Sequence, residues 1–300
     1  MKRAELAGAK YLDKKINEGS DEELDFFGAL AQYARDRAAT NETANEVLKA
    51  GLMNKFDGYP EKTDVAALSK VLQPKPDSGH SAVAAEAPCV FVDELYKIAA
   101  AAKKEFSTLV SKLVTDVGFT PDDTVMFEGE PLMLDPHTGL EAKRFSAANL
   151  KTKKRANEKI DKEYKGQVAK LLDIVRCSVV VDNEEQLAKF AGLLADKAAV
   201  QNHGVEAEIV RLKNRFKDRL FSGYGDCLYN VRVFVPSKNC WHVCELQLHC
   251  APLLNHKKTT HKTYDTSSYF SGRKLRPRPP PGTSTSAHTS RATWRRPTSG

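Results

Sequence analysis

The stretch HVCELQLHC, His242–Cys250, decides the fold. In a strand, successive side chains point to opposite faces, so Glu245, Gln247 and His249 share one side while Cys244, Leu246 and Leu248 share the other. A polar face at the centre of a sheet is costly unless its groups are paired, hydrogen-bonded or metal-bound. Working outward, Leu172–Val181 (LDIVRCSVVV) is short and β-branched, as a buried strand should be. Glu184–Ala199 is amphipathic, with Leu187, Phe190, Leu193 and Leu194 forming its apolar stripe. Val205–Lys213 and Cys227–Val235 read as further strands, and Ala251–Tyr264 as a closing helix. Strand, helix, strand and then a meander predict an α+β (mixed α/β) domain.

The segments upstream are helical in pattern. Lys2–Asn17, Glu22–Ala38 and Thr43–Leu52 are rich in Ala, Leu, Glu and Lys at helical spacing, with Asp21, Asn41 and Thr43 as start signals. A Pro/Ser/Ala-rich stretch opens at Gln73, and a long helix is predicted over Val92–Val117. Gly118–Pro136 reads as a loop and Ala147–Lys170 as a basic helix. The expected organisation is a helical region over 1–72, a linker over 73–90, a domain over 91–270 with its core at 145–270, and a disordered tail over 271–300. No internal repeat is present.

Composition narrows the class. The net charge of +7 equals the seven Arg and Lys of Gly272–Gly300, a segment without acids, so the remainder is formally neutral. Nucleic-acid binding is therefore expected of the tail rather than of the folded part. Six scattered cysteines suit reduced thiols, and no apolar run approaches the ~20 residues of a membrane span. The N-terminus lacks an apolar core and carries Glu5 and Asp13, so no membrane and a cytoplasmic setting are expected.

No G-x-x-x-x-G-K-[ST] or G-x-G-x-x-G pattern occurs, and no histidine is followed by Asp. Charged residues in and beside the strands stand out instead. Asp173 opens an otherwise apolar strand, and Glu245 lies inside another. Two such carboxylates could hold Mg²⁺, whose octahedron substrate phosphates would complete. The plainer reading has Asp173 capping a helix–strand junction and Glu245 pairing with a lysine. Arg155, Lys159 and Lys162 line one helical stripe, able to grip a triphosphate or simply to face solvent. Lys213, Arg215, Lys217 and Arg219 precede a Gly223-Tyr224-Gly225 turn. That turn would leave Tyr224 exposed to stack on a purine, or else close a hairpin by packing on its neighbours. Cys240, His242, Cys244, His249 and Cys250 lack zinc spacing, because Cys244 and His249 face opposite sides and no CxxC exists.

Taken together, Phe145 to Phe270 resembles the synthetase domain of the RelA/SpoT family, in a divergent form similar to a eukaryotic branch. The matching pieces, in order, are Arg155/Lys159, Asp173-Ile174, Leu187–Leu194, Arg211–Arg215, Gly223-Tyr224, Glu245-Leu246-Gln247-Leu248, and His261 with Tyr264. The resemblance implies a nucleotidyltransferase-like mixed sheet flanked by helices. It implies transfer of pyrophosphate from ATP to the 3′-hydroxyl of GDP or GTP. Asp173 and Glu245 would be the catalytic carboxylates that hold Mg²⁺, and Glu245 would also activate the acceptor hydroxyl. Tyr224 would stack on guanine, and Arg155, Lys159, Lys213 and Arg215 would hold phosphates. Gln247 and His261 would complete the substrate site. The chain departs from the family pattern at His249, where an Arg is usual, at Ser178, and at Asp226 and Leu228. These departures support an alternative, a catalytically degenerate domain that binds nucleotide or RNA.

Overall fold

The computed structural model describes residues 21–53, 71–76, 88–135, 138–217, 219–220 and 222–257. In chain order these contain α1 (Asp21–Val47) and α2 (Val92–Val117). Two small antiparallel ladders follow, β1 (Met126–Phe127) with β2 (Glu130–Pro131), and β3 (Met133–Asp135) with β4 (Leu140–Glu141). Next come β5 (Phe145–Ala147), α3 (Lys153–Lys162), β6 (Arg176–Val181), α4 (Glu184–Ala195) and α5 (Lys197–Asn202). The chain then forms β7 (Ala207–Asn214), β8 (Cys227–Val235) and β9 (Cys240–Cys250), and enters α6 over 251–257.

The last five strands make one sheet in the order β5-β6-β9-β8-β7. Only β6 and β9 run parallel; the other neighbours are antiparallel. The sheet is therefore mixed and flanked by helices, as the sequence predicts. One face is closed by α2 and α4. Leu95, Ile98, Ala102, Phe106, Leu109 and Leu113 recur at helical spacing along α2 and are buried against Cys177, Val179, Cys244, Leu246 and Leu248. Burying each large aliphatic side chain of this kind contributes about 2 kcal/mol. α2 stops at Gly118, whose φ of 112° is open to a residue without Cβ.

Several expectations change. Glu22–Ala38 and the first half of Thr43–Leu52 belong to one continuous helix that ends at Val47, and Asn41 lies inside it. The hydroxyls of Thr40 and Thr43 return to the carbonyls of Asp36 and Ala39 one turn back, so residues suited to caps are absorbed into the helix. The predicted loop Gly118–Pro136 includes the first small ladder and all of β3. The basic helix is shorter than Ala147–Lys170. Thr152 caps its start by accepting from the Arg155 N–H, and Lys165 (φ 51°) and Gly166 (φ 80°) take the chain out of helical geometry. Glu184–Ala199 divides at Asp196, which caps α5 by accepting from the Ala198 N–H.

The start of the expected linker is locked into the domain. Gln73 is fully buried; its amide donates to the carbonyls of Leu171 and Val243 and accepts from the Val243 N–H. It thus supplies β9 with peptide-like bonds one turn of the ladder before β6 begins to pair. Further upstream, the Glu184 carboxylate accepts from the N–H groups of Ala50, Gly51 and Met53. The expectations for Lys2–Asn17, His261, Tyr264 and the tail lie outside the described residues.

Candidate functional site

The face of the sheet turned away from α2 and α4 carries charge. Register sets Arg176 of β6, Glu245 of β9, Asn230 of β8 and Arg211 of β7 in one row across four strands. The next row is Ser178, Gln247, Leu228 and Lys213. Within these rows Arg211 Nε donates to Asn230 Oδ1 at 2.6 Å, and Gln247 Nε2 donates to Glu245 Oε1 at 2.9 Å. Glu245 therefore stands between two arginine-bearing strands, on the face predicted from the alternation of HVCELQLHC.

Asp173 precedes β6 and has a side chain only 10 % exposed. Its Oδ2 accepts from Lys159 Nζ at 2.8 Å and lies 3.1 Å from Lys151 Nζ. Its Oδ1 is buried and has no hydrogen-bond partner among the described residues. Burial raises the Asp173 pKa, but Lys159 and Lys151 outweigh it and hold the carboxyl below its ordinary value. Burial likewise works against the Lys159 ammonium, and Asp173 overcomes it, raising the lysine's pKa. Glu245 shifts the other way: burial first, then the negative charge of Asp173, push its pKa up. The two carboxylates thus share one electrostatic environment, one firmly ionised and the other made more basic.

A second cluster surrounds Tyr224. The Gly223 turn forms as predicted, with φ 83° and its N–H donating to the Leu220 carbonyl at 2.8 Å. Of the two readings for Tyr224, exposed or packed on its neighbours, the structure has the packed one, with the residue 3 % exposed. Its hydroxyl hydrogen-bonds His249 Nδ1 at 2.7 Å, and Lys257 Nζ lies 5.3 Å from its ring centroid. The inward position has a physical cause: the departure His249 gives the phenol a buried hydrogen-bond partner. Burial, then Lys257 and Arg215, lowers the His249 pKa, which favours the neutral imidazole. Asp226 Oδ2 stands 3.7 Å from His249 Nδ1, too far for a hydrogen bond, and Asp226 Oδ1 pairs with Arg215 Nη1 at 3.0 Å. Burial raises the Asp226 pKa and Arg215 offsets this only in part.

The structure gathers Asp173, Lys159, Glu245 and Gln247 around one end of this face, and Arg215, Tyr224 and His249 around the other. Lys213 shares the face through its register with Leu228. Arg155 is not brought in: its side chain is 76 % exposed and meets Glu158 at 3.4 Å on the same helix. The plainer reading of Asp173 as a cap is replaced by its contact with two lysines, and Glu245 bonds Gln247 rather than a lysine. Cys240, His242, Cys244 and Cys250 fall on the core face of β9, and no group of three or more metal-ligating side chains occurs among the described residues. Lys151 and Lys257 were not singled out from sequence. Lys151 lies one residue before the cap of α3 and Lys257 in α6, and neither position has a local signature.

The Mg²⁺ that the resemblance implies fits the donors present. A buried, unbonded Asp173 Oδ1 beside a second carboxylate is the small oxygen set that this ion takes from protein, phosphates and water supplying the rest. Among the described residues, no helix is long and apolar enough to cross a membrane.

No family model matches the chain, and no curated protein matches it. Solved structures similar to it include small alarmone synthetase 2 from Bacillus subtilis, at 15% identity and TM-score 0.40, covering 59% of this chain and 81% of that one. A GTP pyrophosphokinase family protein from Streptococcus pneumoniae is 15% identical with a TM-score of 0.39, covering 60% of this chain and 77% of the other. Small alarmone synthetase 1 from Bacillus subtilis, bound to its product pppGpp, is 11% identical with a TM-score of 0.38, covering 60% of this chain and 95% of its own.

Proposed function

We propose that the polar face of the sheet is the site of a nucleotide pyrophosphokinase, transferring pyrophosphate from ATP to the 3′-hydroxyl of GDP or GTP. The observation that carries this reading is the pair Asp173 and Glu245, one carboxylate buried and the other half-buried, held at different basicity beside Lys151, Lys159, Arg176 and Arg211. Glu245, the more basic of the two, takes the proton of the acceptor hydroxyl. The hydroxyl oxygen then bonds the β-phosphorus of ATP, and the bond from that phosphorus to the α–β bridging oxygen breaks. AMP leaves with the electron pair. Lys159, Lys213 and Arg215 bind phosphate oxygens, and Gln247 orients Glu245. Asp173 and Glu245 would hold Mg²⁺, which when bound neutralises charge on the phosphates.

The test is AMP formation by the full chain with ATP, GDP and Mg²⁺, with Asp173→Asn and Glu245→Gln measured beside it. Equal AMP yield from wild type and both variants sinks the reading.

A specific observation favours a second reading, nucleotide binding without chemistry: Asp173 Oδ2 is already engaged by two lysines. GDP binding that is indifferent to chelation of Mg²⁺, with no AMP formed, distinguishes it.

A further inference from the structure

α1 rests on both chain segments that flank Tyr224. Ahead of the turn, Arg219 Nη1 donates to the Asn41 carbonyl and to Asn41 Oδ1, each at 3.3 Å, and Nη2 donates to Asn45 Oδ1 at 2.9 Å. At the turn itself, a Cβ placed on Gly223 would lie 3.1 Å from the Arg37 carbonyl oxygen and from the Asn41 side chain. Helix and turn are therefore in direct contact, and only glycine fits between them. Beyond the turn, Thr43 Oγ1 lies 2.9 Å from His256 Nε2 on α6, next in sequence to Lys257. Arg37, Asn41 and Asn45 recur every four residues, so one stripe of α1 makes the contacts with the turn.

That stripe is polar, whereas the foot of α1 is firmly rooted. Ala44 and Met53 are fully buried in the main core, and Glu184 grips the N–H groups at 50, 51 and 53. Ala44 lies between Asn41 and Asn45, so the anchored part of α1 includes the stripe itself. α1 is the fixed partner, and the turn is held to it by hydrogen bonds that can open without moving the helix. Meanwhile the Tyr224 ring presents no free face, being 3 % exposed with its hydroxyl engaged and a lysine over it. A base can reach that ring only when the turn or α6 moves, and both are held by α1.

We infer that α1 is a built-in cap that holds the Gly223–Tyr224 turn shut, so that a purine nucleotide enters beside Tyr224 when the turn parts from α1. The inference rests on the reading of this pocket as a purine site and adds its control. A ligand whose competent state is a minor fraction binds more weakly by that fraction, so loosening the cap tightens binding.

The experiment uses the full chain carrying Asn41→Ala with Asn45→Ala, which removes the side-chain acceptors of Arg219. Thr43→Val, which removes the contact to α6 and the hydroxyl's bond to the Ala39 carbonyl but none of the bonds to Arg219, is the second variant. Two quantities are read: amide hydrogen exchange of the peptide spanning 219–226, and the Kd for GDP. Faster exchange together with GDP binding tightened about fivefold or more is the expected result in each variant. Unchanged exchange in both overturns the cap and leaves the purine site standing. Faster exchange with unchanged or weaker GDP binding also overturns it, since α1 would then be positioning the turn. GDP binding by none of the chains, whatever the exchange, sinks the purine reading on which the cap depends.

Discussion

β9 makes two faces from the alternate residues of one strand, and they hold together for different reasons. Its core side, with Cys244, Leu246 and Leu248 at 0% exposure, is stabilised by apolar area and close packing against α2 and α4. Its other side, with Glu245, Gln247 and His249, is a set of groups each tolerable there only because a neighbour compensates it. Packing is forgiving of chemistry but not of volume. Compensation is forgiving of volume but not of charge, and charged groups kept under such restraint are the material of a catalytic site.

The largest expected difference between the faces is in activity. Asp173→Asn keeps the shape of the side chain and removes the charge that Lys159 and Lys151 answer. Losing a metal-holding carboxylate should lower AMP formation by roughly 10³-fold, measured with ATP and GDP at saturating Mg²⁺. It should also leave two half-buried ammonium groups without their counter-charge, a destabilisation in urea titration smaller than the about 3–5 kcal/mol of breaking a fully buried pair. A variant that loses stability but keeps its activity would assign Asp173 to structure alone.

Leu246→Ala is the matching break on the core side. Leu246 is fully buried, so truncation should cost about 2–5 kcal/mol. AMP formation per folded molecule should change little. If activity falls in proportion to stability on both faces, the distinction between them is false.

The division between faces was readable in the sequence because it depends only on strand periodicity. HVCELQLHC placed Glu245 and Gln247 opposite Leu246 without tertiary knowledge, and Val92–Val117 and Cys227–Val235 were found at both ends. What was not readable depends on partners distant in sequence. Tyr224 turns inward to a hydrogen-bond partner, His249, that lies 25 residues away. Gln73 looked like the start of a linker because its hydrogen bonds to Val243 span 170 residues. Lys151 joins Asp173 because the chain turns back after α3, which no local pattern announces. The apolar stripe of Glu184–Ala199 was right, yet its length was not, since the cap at Asp196 serves the next helix.

The core side contains one polar intruder, and it makes an acid-sensitive prediction. His242 is buried with Nε2 unpartnered, and burial lowers its pKa to about 4 from an ordinary 6.5. The unfolded chain binds this proton more readily, so stability should fall as pH drops from 6.5 and level off below about 4. The full loss is roughly 3 kcal/mol. His242→Leu should flatten that part of the profile in urea titrations at successive pH values. A slope that persists unchanged would move its origin to the polar face.

The smallest effect carries the sharpest sign. Asp173 has its pKa depressed, so its stabilisation is present above its ordinary 3.8 and disappears as pH falls through the lower folded value. Glu245 has its pKa raised, so its contribution is present below its ordinary 4.5 and is lost as pH rises through the higher folded value. At pH 7 the folded protein therefore carries the burden of an ionised Glu245 next to an ionised Asp173. Glu245→Gln should be more stable than wild type at pH 7, and the gain should vanish below about pH 4.5. Asp173→Asn should behave oppositely, less stable at pH 7 and converging on wild type only in strong acid. Thermal melts across this range separate the cases. If Glu245→Gln is destabilising at pH 7, then Arg176 and Arg211 hold Glu245 as an ordinary ion pair, and its basicity is not available for removing a proton from a substrate.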